Sequence, residues 1–270
     1  ELEDVGRWCL KDFTSTLVIE GDQELQYISQ ICHESRSITQ LRVRAVHWNT
    51  RHLNILGSML SQFPPLDVLE LKGVEKKDSD GAIVGADEQY KIGMAGLEVL
   101  TMHSSKLFYL KELTLRASLI EERGTTTLLP LLSQMKYLRV LNLRVCRIGD
   151  DGAIALAPAL QVMTQMNVLD LSGSDTFGYY GIGAEGAIAL APALQEMTQM
   201  KVLNLGKNSI RAKGARALAP GLRKMTQLKS LNLYNSHIGD EGTRAIAPAL
   251  RRMTKLEYLN IWKSVLQMKE

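Results

Sequence analysis

The fold class predicted for this chain is α/β: a right-handed solenoid, or horseshoe, of about nine strand-and-helix units, with a parallel sheet on the concave side and helices on the convex side. Three observations predict it. An L-x-x-L-x-L frame recurs at a fixed period, its last two apolar positions alternate as in a half-buried strand, and apolar residues at helical spacing follow each frame. With 45% hydrophobic and 23% charged side chains among 270 residues, the composition is that of a packed protein and not of a disordered one.

Taken in order, residues 1–13 read as an amphipathic capping helix with Val5, Trp8, Cys9 and Phe13 inward, and residues 14–270 as the repeat domain. A degenerate first strand uses Thr16, Leu17, Val18 and Ile19. The frames then start at Ile38, Leu66, Leu110, Leu138, Met166, Met200, Leu228 and Leu256. Their spacing is 28 residues except for 44 after Leu66 and 34 after Met166. The 16 and 6 extra residues are placed at about 73–88 and 176–181, in both cases just after the strand, so the two insertions leave on one rim. Within a unit, Leu141 and Leu143 face inward from the strand. Ile148 and a turn over Gly149–Gly152 follow, and then Leu156 and Leu160 on the inner face of a helix. One strand and one helix cannot bury an apolar face alone, so the units must stack into a continuous core. Pro158, Pro192, Pro220 and Pro248 recur at one place in four helices. Because an interior proline costs about 3 kcal/mol, each helix is expected either to begin late, with proline in its first turn, or to bend there.

This unit resembles the leucine-rich repeat of the ribonuclease-inhibitor type, over about residues 14–266. Where that family sets an asparagine or cysteine to bond loop backbone, this chain has Ser118, Cys146, Ser174, Asn208, Ser236 and Ser264. Serine is the shorter side chain, so a weaker ladder that draws on water is expected. Ribonuclease inhibitor itself is a poor match, being cysteine-rich and acidic. The A-L-A-x-A-L helices resemble the sensor region of NLR-type innate immune receptors. That resemblance implies a non-catalytic recognition module for pattern sensing or receptor regulation, with a protein or an anionic microbial ligand as partner. A Ran GTPase-activating type of regulator shares the repeat, but its catalytic arginine has no placeable counterpart and the acidic tail is missing. A purely structural scaffold is the third reading.

The chemistry-bearing residues form no catalytic constellation, so no enzyme, cofactor or metal is expected. Cys9, Cys32 and Cys146 are too few for a disulfide framework and lack zinc spacing, which favours a reducing, cytoplasmic setting. A bridge between Cys9 and Cys32, which flank the first strand, is left open. No apolar run reaches 18 residues, so no membrane span is expected. A start at Glu1 without methionine reads as an excised fragment. Gly181, Gly183 and Gly186 spell G-x-G-x-x-G, yet two of them are the repeat's own glycines. The five histidines are scattered over different units. Carboxylate pairs such as Asp150 and Asp151 sit at helix starts, where the dipole favours them.

Binding is expected on the concave sheet, about 40 Å across. Two outward columns are read there. One runs through Arg42, Glu70, Thr114, Asn142, Asp170, Asn204, Asn232 and Asn260. The other runs through Arg44, Lys72, Arg116, Arg144, Ser172, Gly206, Tyr234 and Trp262. The first half is basic, with Arg139 beside Arg144; the last part is aromatic, with Tyr258 beside Trp262. Arginine, tyrosine and tryptophan are the residues enriched at binding hot spots. Phe177, Tyr179 and Tyr180 of the second insertion add a candidate contact loop. The net charge of +3 hides an excess of 14 basic over 4 acidic side chains in residues 200–270. Much of it lies on helices, where nucleic acid is a weaker candidate partner for want of any reading motif. The last strand is an open edge, a route to a homodimer.

Overall fold

Leu41, Leu69, Leu113, Leu141, Leu169, Leu203 and Leu231 are fully buried, each near the middle of a short strand. Their neighbours on either side are only half-buried or line the opposite face, so alternation within the frame sets which side of each strand packs. The computed structural model describes residues 15–25, 38–44, 46–77, 79, 83–86, 90–174 and 181–264. In chain order the strands begin with β1 (Thr16–Glu20), β2 (Gln40–Arg44) and β3 (Val68–Lys72). Inside the first insertion, β4 (Glu75–Lys77) and β5 (Ile83–Ala86) form a separate antiparallel hairpin. The sheet resumes with β6 (Glu112–Thr114), β7 (Val140–Asn142), β8 (Val168–Asp170), β9 (Val202–Asn204), β10 (Ser230–Asn232) and β11 (Tyr258–Asn260). All nine strands outside the hairpin pair in parallel and in sequence order. Equivalent residues of successive units are therefore cross-strand partners, as Leu113, Leu141 and Leu169 are.

The return segments are α1 (Thr50–Gln62), α2 (Gly93–Met102), α3 (Glu121–Leu132), α4 (Gly149–Gln161), α5 (Ala184–Glu196), α6 (Arg211–Lys224) and α7 (Gly239–Leu250). Leu156 and Leu160 of α4 are buried against the sheet. One of the two arrangements expected for the prolines is not found. The helices do not begin late: Pro158, Pro192, Pro220 and Pro248 lie near the C-terminal ends of α4, α5, α6 and α7, and Pro130 holds the same place in α3. The cost is reduced because each proline is exposed. The carbonyls that lose a partner, four residues earlier, belong to outward residues such as Ile154, Arg216 and Arg244, where water can bond them.

Gly149–Gly152 is not a turn before the helix but the first turn of α4 itself. Gly149 takes φ +65° with open space around it, and Gly239 takes φ +63° in α7. Gly152 is buried where a Cβ would come within 2.8 Å of Ile148 Cγ2 and 3.0 Å of Thr125 Oγ1 in the preceding helix. At the place of Gly149 and Gly239, α6 has Arg211 at φ +57°. An L-residue in that region is strained by about 1 kcal/mol. Arg211→Gly is therefore expected to raise stability by about 0.5 kcal/mol after glycine's extra chain entropy, read as a higher midpoint in urea.

Four rungs of the asparagine/cysteine ladder, at Cys146, Asn208, Ser236 and Ser264, bond backbone directly. Ser236 Oγ donates to Leu205 O at 2.9 Å, and Ser264 Oγ donates to Leu233 O while accepting from Ser236 N. Cys146 Sγ reaches Leu115 O at 2.9 Å. Burial pushes that thiol's pKa up to about 12, so it stays protonated and packed. Asn208 makes the fullest rung, donating through Nδ2 to Leu171 O and Leu205 O and accepting through Oδ1 from Ile182 N. The capping helix expected at 1–13, the Cys9 and Cys32 pairing and the aromatic group Phe177, Tyr179 and Tyr180 lie outside the described residues.

Candidate binding face

Parallel register turns each outward position into a column across the concave face. The column from Arg42 through Glu70, Thr114, Asn142, Asp170, Asn204 and Asn232 to Asn260 is in register throughout. Its asparagines and aspartate serve the backbone. Oδ1 of Asn142, Asp170, Asn204, Asn232 and Asn260 accepts from the N–H two residues on, at 2.9–3.1 Å, closing five successive strands with one side-chain turn. A third outward column went unread in the sequence. It holds Val140, Val168 and Val202 between Glu112 and Ser230, an apolar strip half-buried at the middle of the face.

The basic end is a network of ion pairs. Glu70 accepts from Arg42 Nη1 at 2.7 Å and from Arg44 Nε at 2.8 Å. Burial works to raise its pKa, but the hydrogen bonds and charges of Arg44 and Arg42 outweigh it, and the carboxyl stays below the usual glutamate range. Arg116 and Arg144 meet an acid that the repeat frame does not contain. Glu75, at the root of the hairpin, takes a bidentate bond from Arg116, Nε to Oε1 at 2.6 Å and Nη2 to Oε2 at 2.7 Å. Arg144 Nε stands 3.3 Å from the same Oε1. Here too burial opposes ionisation, and Arg116, Arg144 and Lys72 overcome it, lowering the Glu75 pKa. Lys72 ends β3 beside this group. Arg139 does not join it: its carbonyl and N–H pair at the start of β7, in line with Lys111 and Asn167, at the opposite end of the strand from Arg144.

At the other end Tyr234 stacks on Trp262 with ring centroids 5.7 Å apart, and Lys263 Nζ lies 4.9 Å above the Trp262 ring. Asn260 joins Tyr258 to this group, donating to its hydroxyl at 3.0 Å while accepting from Trp262 N. Trp262 is 62% and Tyr258 49% exposed, and Leu259 beside them is open at the last strand. The structure thus brings Arg42 and Arg44 together, Lys72, Arg116 and Arg144 together, and Tyr234, Tyr258 and Trp262 together, with the valine strip between.

The cationic excess of the last units is partly answered by ion pairs between neighbouring units. Lys213 pairs with Glu185 at 2.6 Å, Lys229 with Glu257 at 2.8 Å, and Arg216 with Glu241. These are exposed pairs of little energetic weight. The G-x-G-x-x-G glycines bind a carboxylate of the chain itself: Gly183 N and Gly186 N both donate to Asp150 Oδ1, at 2.8 and 2.6 Å, so the start of α5 is capped from the preceding unit. The histidines are less scattered than expected. Asp22 accepts from His47 N and contacts His47 Nδ1 at 2.6 Å, with buried His52 Nδ1 at 3.6 Å. Among the described residues no helix is long and apolar enough to cross a membrane.

Residues 134–157, 197–219 and 224–247 each match the family described as Leucine Rich repeat. No curated protein matches the chain significantly.

Proposed function

We propose, from the chain's being a leucine-rich-repeat protein, that it is a non-catalytic recognition module whose concave face binds a protein or an anionic ligand, in the manner of the sensing or regulatory repeats of NLR-type innate immune receptors. The observation that carries this reading is the grading of one continuous face. Arginines stand at one end, the Val140, Val168 and Val202 strip at the centre, and exposed Tyr258 and Trp262 at the other, with half-buried Tyr234 stacked on Trp262. Apolar centre, aromatic anchors and guanidinium groups are the composition of a protein-binding surface. A photo-reactive benzoylphenylalanine at Thr114 or Ser230 tests it, with the same group at Thr126 on the exposed side of α3 as control. A bound partner is expected to cross-link from the two concave positions only, and Trp262→Ala is expected to cut the yield by about tenfold. Equal yield from Thr126 would refute the concave assignment.

A further inference from the structure

We infer that Arg116 and Arg144 form a carboxylate-binding site which Glu75 fills from within the chain, and that an acidic side chain of a protein partner binds there by displacing Glu75. This rests on the concave face being the binding face.

The two arginines occupy the same position in successive units, 28 residues apart. Glu75 does not belong to the repeat and arrives on the insertion, behind Gly73, whose N–H is held by Arg116 O at 3.0 Å. The bond it makes is the fork-to-carboxylate geometry by which arginine selects planar anions. The carboxylate now seated shows the chemistry that the site accepts.

Glu75 also leaves capacity unused. Arg116 takes both carboxylate oxygens, so Arg144 Nε, though only 3.3 Å from Oε1, lies off the hydrogen-bond direction. It is the buried side-chain donor left without a hydrogen bond among the described residues, an arrangement disfavoured for a charged group. A carboxylate placed between the two guanidinium groups, or a second acid beside the first, satisfies it. Next to the site is a cleft of about 280 Å³ lined by Arg44, Lys72, Gly73, Val74, Glu75 and Lys77. Arg44 is held by Glu70, but Lys72 and Lys77 stand there against the one carboxylate of Glu75, so the cleft favours a further acidic residue of the same segment. Equivalent positions beyond Arg144 are Ser172 and Gly206, which confines the site to two units.

Exchange is energetically accessible because it is like for like. The desolvation of the arginines is already met in the closed form, and an incoming carboxylate replaces the bond that Glu75 gives up. A closed form that dominates lowers the apparent affinity by its population, so removal of the internal carboxylate raises it.

The test uses the full chain and a fluorescein-labelled hexaglutamate peptide at low ionic strength, with hexaglutamine as the uncharged control. Glu75→Gln is expected to tighten hexaglutamate binding by about tenfold or more, read by anisotropy. Glu257→Gln makes the same change in net charge at a remote exposed pair and is expected to change binding less than about twofold. Adding Arg116→Ala to Glu75→Gln is expected to abolish the gain. Glu75→Asp, which keeps the charge but withdraws the carboxylate by one methylene, gives an intermediate gain and serves if Glu75→Gln does not fold. A gain no larger for Glu75→Gln than for Glu257→Gln overturns the assignment, whether or not cross-links fall on the concave face.

Discussion

Asn208→Ala is expected to lower stability by about 3 to 4 kcal/mol, more than the loss of any serine rung. Asn208 is 4% exposed and makes three hydrogen bonds to backbone. Leu205 O keeps the Ser236 hydroxyl as a partner when Asn208 is truncated. Leu171 O and Ile182 N do not, and each orphaned buried group costs about 1–3 kcal/mol. The site matters because it is where the chain returns from the second insertion. Ser209 N donates to Ile182 O at 2.8 Å while Ile182 N donates to Asn208, a two-way tie between neighbouring units. Asn208→Ser separates the two roles. A serine hydroxyl reaches the preceding unit's carbonyl, as Ser236 does, but leaves Ile182 N unmet, so roughly half the loss is expected to return. Urea denaturation measures the total, and hydrogen exchange at Ile182 and the first turn of α5 locates it. A change under about 1 kcal/mol for Asn208→Ala would contradict this account.

The period made the sheet legible. Each strand is placed by two leucines whose neighbours must alternate, and one 28-residue step carries the same argument from Leu113 to Leu141 and on to Leu169. Register followed from equivalence, and so did the columns. What the columns do was not legible, because outward asparagine looks the same whether it awaits a partner or bonds the backbone two residues on. The five Asn and Asp turns were readable only as a local pattern of side chain and loop, not from periodicity. Glu75 was hidden for a different reason. It lies in residues that break the repeat, and its meeting with Arg116 spans 41 positions with no spacing rule to predict it. The valine strip was missed because Val140, Val168 and Val202 sit one step before each frame's leucine, where an apolar residue reads as part of the strand's core run. The place of the prolines late in each helix was not legible because helix propensity does not say which side of the helix each faces.

Gly173→Ala and Gly73→Ala are expected to cost about 3 kcal/mol each, and the reason joins the insertions to the repeat. Both glycines hold the place taken in regular units by Ala117, Val145, Lys207, Asn235 and Lys263, all with φ between +50° and +59°. There the left-handed residue turns the chain toward its helix. Where an insertion departs, the chain goes elsewhere, and Gly73 and Gly173 are not left-handed. A Cβ in that conformation would point into the next unit, 2.4 Å from Ala117 O at position 73 and 2.2 Å from Lys207 O at position 173. The obstacle is backbone, which cannot rotate aside as a side chain does. The glycines cannot retreat either, since Gly73 N is bonded to Arg116 O and Gly173 N to Gly206 O, each at 3.0 Å. Relief therefore means separating two units of the sheet, which puts the cost at the upper end of overpacking. Gly149→Ala is the discriminating comparison. Open space surrounds Gly149, so only its φ of +65° is strained, at about 1–2 kcal/mol. Denaturation of the three variants side by side should rank Gly173→Ala and Gly73→Ala well above Gly149→Ala. An equal or reversed order would mean that conformation alone, and not the approach of the neighbouring carbonyl, holds glycine where the insertions leave.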